Sequence, residues 1–191
     1  MNKKQILALG FFDGVHLGHQ ALLAACVALA KEQNALPAAI TFHSHPQSLF
    51  SSAVPPLLNT LRDRQRLLAE YGMKKVLAFP VIKKVMSTDW RDFLDSLVEQ
   101  GAIGFVCGDD FRFGNRGEGN AQKLENFCKE RNLTFRVVGD QMLDGLRISS
   151  THIRSLLEAG NMEEANRFLG HPHVLSGEVT TGRKLGRTLG I

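Results

Sequence analysis

QILALGFFDGVHLGH, Gln5–His19, runs the apolar stretch Ile6–Leu9 into a turn with three glycines, Gly10, Gly14 and Gly18, and two histidines, His16 and His19. Five apolar-rich residues bounded by glycine read as a short buried strand, Gln5–Leu9. Beyond the turn, Leu22, Leu23, Cys26, Val27 and Leu29 fall at helical spacing, which predicts a helix over His19–Gln33. A strand, a glycine-rich turn and a helix make the opening unit of a parallel α/β sheet.

The same alternation continues outward. Ala38–Phe42, Lys75–Phe79, Ile103–Cys107 and Thr134–Val138 read as further strands. Leu61–Tyr71, a stretch carrying Trp90, Phe93, Leu94, Leu97 and Val98, Ala121–Arg131, Ser150–Ala159 and Met162–Leu169 read as helices. Ser87 is the expected N-cap of the Trp90 helix and Gly101 its stop. The fold class is therefore α/β, a Rossmann-like parallel sheet with helices on both faces. In such sheets ligands bind beyond the carboxyl ends of the strands, so the loops after strands are the places to look for chemistry. His171–Ile191 breaks the pattern: Gly177, Gly182, Gly186 and Gly190 interrupt Val174 and Val179 with no helical period, like the opening hairpin of a β-rich unit.

The 191 residues suit one domain with the start of a second, and a 43% hydrophobic share is enough for a real core. A formal charge of +4, with acidic residues interleaved throughout, suits an anionic small molecule and gives no Arg/Lys stripe for nucleic acid. Cys26, Cys107 and Cys128 are widely spaced and form no CxxC pair, so they read as buried free thiols and not as metal ligands or a disulfide framework. No cleavable leader is evident at the start, and no run approaches the ~20 apolar residues of a membrane helix, so a cytoplasmic location with no membrane partner is expected.

Four clusters carry candidate chemistry. In GFFDGVHLGH, glycines allow close approach of a phosphate, and the following helix offers free N–H groups and a positive dipole end. His16 and His19, three apart, can serve one anion. The loop lacks GK[ST] and does not match GxGxxG, so it is neither a Walker loop nor a dinucleotide fingerprint. RISSTHIR, Arg147–Arg154, joins helix-capping hydroxyls to two guanidinium groups. TFHSHP, Thr41–Pro46, reads as a substrate-lining loop; its two histidines have no nearby carboxylate or thiol to complete a metal set. CGDDFRFGNRGEGN, Cys107–Asn120, sets Phe111 and Phe113 about Arg112, which suits a planar aromatic ligand with a phosphate or ribityl chain.

HxGH after a strand is the signature of adenylyl- and cytidylyltransferases and of the related class I aminoacyl-tRNA synthetases. Together, GFFDGVHLGH, TFHSHP, GDDFRFG with NRGEG, and RISSTHIR resemble the FMN adenylyltransferase module of bacterial bifunctional FAD synthetases, over residues 1 to about 170. The resemblance implies ATP + FMN → FAD + diphosphate by in-line attack on the α-phosphorus. It implies His16 and His19 as catalytic groups at the α-phosphate. ATP would be bound by Gly10, Phe11, Phe12, Asp13 and Gly18, and by Arg147, Ser150, Thr151 and Arg154 at the distal phosphates. Flavin would be bound by Pro46, Phe50, Asp110 and Phe113. Mg²⁺ would accompany ATP, with no dedicated protein metal site, and the oligomeric state is open. Ser44 stands where the family commonly has proline, leaving that wall of the flavin site less rigid. The tail SGEVTTGRKLGRTLGI resembles the start of a riboflavin kinase module. Residues 1–170 are thus expected to form the transferase domain and 171–191 a linker and the beginning of a β-barrel, with kinase activity expected of the full-length parent and not of this chain. Another HxGH nucleotidyltransferase, or a silent nucleotide- or flavin-binding module, is the alternative.

Overall fold

The computed structural model describes residues 3–49, 51 and 53–180; Phe50 and tail residues 181–191, both named above, lie outside the described residues. Five strands, β1 (Gln5–Leu9), β2 (Leu36–Phe42), β3 (Lys75–Phe79), β4 (Ala102–Gly108) and β7 (Thr134–Val138), form one all-parallel sheet in the order β3-β2-β1-β4-β7. β1 is buried at every position, Gln5 included, around its apolar run Ile6–Leu9. Side chains alternate across a strand. Ile6 and Ala8 therefore join Leu22, Leu23 and Cys26 of α1 (Leu17–Glu32) and Leu67 and Leu68 of α2 (Leu61–Glu70). Leu7 and Leu9 join Leu94 and Leu97 of α4 (Trp90–Glu99) and Leu124 and Phe127 of α5 (Ala121–Glu130) on the other face. The Rossmann-like reading holds. The winding reverses at β1, leaving a crevice between the ends of β1 and β4.

Three local readings change. Ser87 does not cap the Trp90 helix: it closes a short helix α3 (Lys83–Met86), and Asp89, directly before Trp90, accepts from the amides of Arg91 (2.7 Å) and Asp92 (3.4 Å). Two hairpins, β5 (Arg112–Phe113) with β6 (Gly119–Asn120) and β8 (Met142–Leu143) with β9 (Leu146–Arg147), add to the elements expected, because two-residue strands carry no period. The remainder of the hairpin expected over 171–191 lies outside the described residues, and residues 171–180 contain no strand. They fold back on the first loop instead: His171 Nε2 lies 3.0 Å from the carbonyl of Gly14, and His173 Nε2 2.9 Å from that of Leu58. α6 (Ser150–Glu158) and α7 (Met162–Leu169) pack as a pair through Ile153, Ala165, Phe168 and Leu169. Cys26, Cys107 and Cys128 are buried free thiols, as expected, and burial pushes each up to about 12.

The turn after β1 is strained. Phe12 (φ 60°), Gly14 (φ 80°) and Val15 (φ 43°) all adopt left-handed backbone, although the Phe12 and Val15 side chains are fully buried. Such non-glycine conformations cost of order 1–3 kcal/mol each and persist only where their surroundings over-determine them. At Gly14 a Cβ would also lie 2.6 Å from Leu58 Cδ1. Gly14→Ala should therefore lower stability by about 1–3 kcal/mol, read from urea unfolding; an unchanged midpoint would contradict the strain assigned to this turn.

Candidate active site

A cavity of about 390 Å³ opens at the ends of β1 and β4. Of the residues expected at ATP, Gly10, Phe11, Phe12, His16, Gly18, His19, Arg147, Ser150, Thr151 and Arg154 all line it. Two helix N-termini face it. His16 is the N-cap of α1, its Nδ1 accepting from the amide of His19 (3.3 Å), and Ser149 caps α6 by accepting from the amide of His152 (3.2 Å). Paired helix N-termini make a concavity suited to phosphate.

The two imidazoles stack, centroids 3.7 Å apart and planes 16° off parallel. Burial, with Arg147 and Arg154 adding to it, pushes His16 down to about 4; burial and then His16 push His19 well below its ordinary value. Both are neutral at pH 7. Because Nδ1 of His16 accepts, its proton sits on Nε2, leaving that nitrogen as a hydrogen-bond donor. His19 Nδ1 is buried with no protein partner. The site thus offers uncharged imidazoles flanked by cations.

Asp13 does not line the cavity but lies behind it, 1% exposed. Its Oδ1 accepts from the Leu58 amide (3.0 Å), its Oδ2 from Arg154 Nη2 (3.3 Å), and Arg64 Nη2 approaches Oδ1 to 4.0 Å. Ser150 Oγ donates to the Asp13 carbonyl (2.9 Å). Arg154 Nε also donates to the Pro56 carbonyl (2.9 Å), so much of this guanidinium is already engaged. Arg147 Nη2 bridges Asp110 (2.6 Å) and Asp140 (2.7 Å) at the cavity edge.

A second cavity, of about 240 Å³ and mainly apolar, adjoins the first, and Phe111 lines both. Pro46 and Phe113, two of the residues expected at flavin, line it together with Phe42 of β2 and Phe93 of α4. Phe111 and Phe113 stack at 5.6 Å. Asp110 differs from expectation: it faces the histidine cavity, paired with Arg147, and does not line the aromatic one. The sequence does not single out Phe93, Val85 and Met86 for this second wall, nor Arg64, which lies behind the loops after β1 and β2. For Arg64 a signal existed, a basic residue in the apolar stripe of α2 between Leu61 and Leu67–Leu68. Among the described residues no group of three or more His, Cys, Asp or Glu could hold a metal ion. A hard divalent cation arriving on a triphosphate needs little more than phosphate oxygens and water, so these residues are compatible with one carried in by the nucleotide.

The model of the FAD synthetase family matches residues 1–152. The chain belongs to that family. A bifunctional riboflavin kinase/FMN adenylyltransferase of Escherichia coli K12 is 36% identical over 188 residues, covering 97% of this chain and 60% of the relative. One from Listeria monocytogenes is 33% identical over 189 residues, with coverages of 97% and 60%. The chain thus spans about 60% of the length of these curated relatives. A crystal structure named as a macrolide-efflux protein of Streptococcus pneumoniae superposes with a TM-score of 0.88 at 26% identity, over 100% of this chain and 62% of that one. Among the described residues of this family member, no helix is long and apolar enough to cross a membrane.

Two outcomes test the geometry. Asp13→Ala strands the buried Arg64 charge and should cost about 3–5 kcal/mol in chemical unfolding; a loss below about 1 kcal/mol would contradict the pinning role. His16 is held near 4 when folded against about 6.5 when unfolded. Between those values the unfolded chain binds the extra proton, so stability is full above pH 6.5 and falls by roughly 3 kcal/mol as pH drops toward 4. Urea midpoints of the wild type should fall more steeply over that window than those of His16→Asn; parallel slopes would refute the assignment.

Proposed function

We propose that the chain is an FMN adenylyltransferase, joining the AMP portion of ATP to FMN to give FAD and diphosphate. The observation that carries this reading is the sharing of Phe111 between a phosphate-type cavity and an aromatic one. A flavin ring in the second cavity extends its phosphate toward the first. An oxygen of that phosphate attacks the α-phosphorus of ATP, the bond to the bridging oxygen breaks, and diphosphate leaves in line. No covalent enzyme intermediate is required; positioning and charge stabilisation supply the rate.

His16 and His19 donate from neutral rings to the α-phosphate oxygens, where charge develops. The amides at the starts of α1 and α6, with Ser150 and Thr151, hold the phosphate chain, and Arg147 and Arg154 attract and orient the leaving diphosphate. Mg²⁺ bound to the triphosphate would offset charge on the leaving group. Asp13 serves ATP indirectly, by holding the loop and Arg154. Pro46, Phe113 and Phe111 receive the ring, Phe50 is assigned there from its motif alone, and Asp110 acts through Arg147. Residues 1–170 are assigned to this transferase unit and 171–191 to a linker and the start of a riboflavin kinase β-barrel. The substrates are small molecules, with no nucleic-acid or membrane partner, and the setting is cytoplasmic.

With ATP and Mg²⁺, diphosphate release should depend on FMN and yield FAD; release driven by another phosphorylated acceptor and not by FMN would replace this reading with that of a different nucleotidyltransferase. Losing one well-placed donor typically costs 10²–10³ in turnover, so His16→Ala should lower kcat by about that factor with the circular dichroism unchanged. Undiminished FAD formation in that variant would remove His16 from the reaction.

A further inference from the structure

Arg64 is the only basic side chain that is fully buried among the described residues. It sits on α2, outside the four sequence clusters, yet it reaches two of them. Nη1 donates to the carbonyl of Phe11 (3.3 Å) beyond β1, to Thr41 Oγ1 (3.1 Å) and to the carbonyl of Phe42 (2.9 Å) at the end of β2. Thr41 Oγ1 itself donates to the Phe11 carbonyl (2.7 Å), closing a small ring of bonds between the two strand ends. Nε is held by Asn59 Oδ1 (3.3 Å), and Nη2 lies 4.0 Å from Asp13 Oδ1. The guanidinium stacks under the Phe11 ring at 4.3 Å, and the far side of the contact chain is His45, edge-on to Phe11 at 5.1 Å. His45 lines the phosphate-type cavity, and the next residue, Pro46, lines the aromatic one.

A buried ion loses hydration that an apolar side chain of similar volume would not, and such replacements are often neutral or stabilising. Stability alone therefore does not explain Arg64. Its donors form a fork matched to carbonyls on two different loops, a task that a point charge performs only in part and an apolar chain not at all.

We infer that Arg64 is a positioning residue for adenylyl transfer, fixing the β1 loop that holds the α-phosphate against the β2 loop that presents the acceptor phosphate. This rests on the function proposed above. Arg64 touches neither substrate. It acts through Phe11 and His45 on one side and through the Phe11 and Phe42 carbonyls on the other. A displacement of about 1 Å between reacting groups can cost around 100-fold in rate without loss of either binding contact.

Arg64→Met and Arg64→Lys separate this role from a structural one. Arg64→Met should unfold cooperatively and bind ATP and FMN within about threefold of wild type, while kcat for FAD formation falls about 100-fold. Arg64→Lys, which retains charge and a donor, should recover about tenfold of that loss. Wild-type kcat in Arg64→Met overturns the proposal, as does a lysine variant no better than methionine, or a rate loss that only tracks the unfolded fraction. If Arg64→Met does not fold, Arg64→Lys decides alone: bound substrates with kcat reduced about tenfold support the role, and full activity overturns it. The imidazole NMR signals of His45 give a readout that needs no acceptor. They should shift in both variants, and unshifted signals overturn the proposal whatever the turnover. Failure of the wild type to use FMN would instead strike the proposed function, leaving the NMR result to judge Arg64.

Discussion

The carboxylate of Asp13 holds together three segments that are far apart in sequence: the loop after β1, the stretch entering α2 through the Leu58 amide, and α6 through Arg154. Arg64 adds a second cation from α2. A buried carboxylate is tolerable only when its lone pairs are taken up by donors, and here each donor comes from a different element. The left-handed residues Phe12 and Val15 flank Asp13, so the same contacts that neutralise the charge also offset the backbone strain. With the Ser150 hydroxyl on the Asp13 carbonyl, this knot keeps His16 at the start of α1 and Ser150 at the same cavity.

The histidines gain their character from that arrangement. Two imidazoles stacked at 3.7 Å cannot both be charged, and burial lowers the pKa of both, with Arg147 and Arg154 adding to it at His16, and His16 and Arg64 at His19. A neutral donor suits developing negative charge, because it gives its hydrogen bond without first binding the ground state strongly. The cations stand further along the cavity, partly engaged by Asp13, Asp110 and Asp140. Charge and hydrogen-bond donation are therefore divided between residues.

The reversal of strand order at β1 explains why two cavities meet where they do. The loop after β1 faces the loop after β4 across the switch point, and the loop after β2 completes the other side. Phe111 follows β4 and reaches both cavities. The segment after α7 closes the back of the same loop through His171 and the Gly14 carbonyl.

By itself the sequence determined the parallel sheet, most element boundaries and the membership of the main cavity. β1 and β7 carry their apolar pattern locally, and GFFDGVHLGH and RISSTHIR carry their chemistry in contiguous residues, so both were legible without coordinates. Tertiary structure alone decided what depends on residues distant in the chain. It placed Asp13 behind the cavity, turned Asp110 toward Arg147, made Asp89 and not Ser87 the cap, and folded 171–180 onto Gly14 as a strandless segment. It also gave Arg64 its partners, 22 and 53 residues away in sequence. Periodicity reports which face of an element is apolar; it cannot report which buried charge that face will meet, because that is fixed only when the elements close on one another.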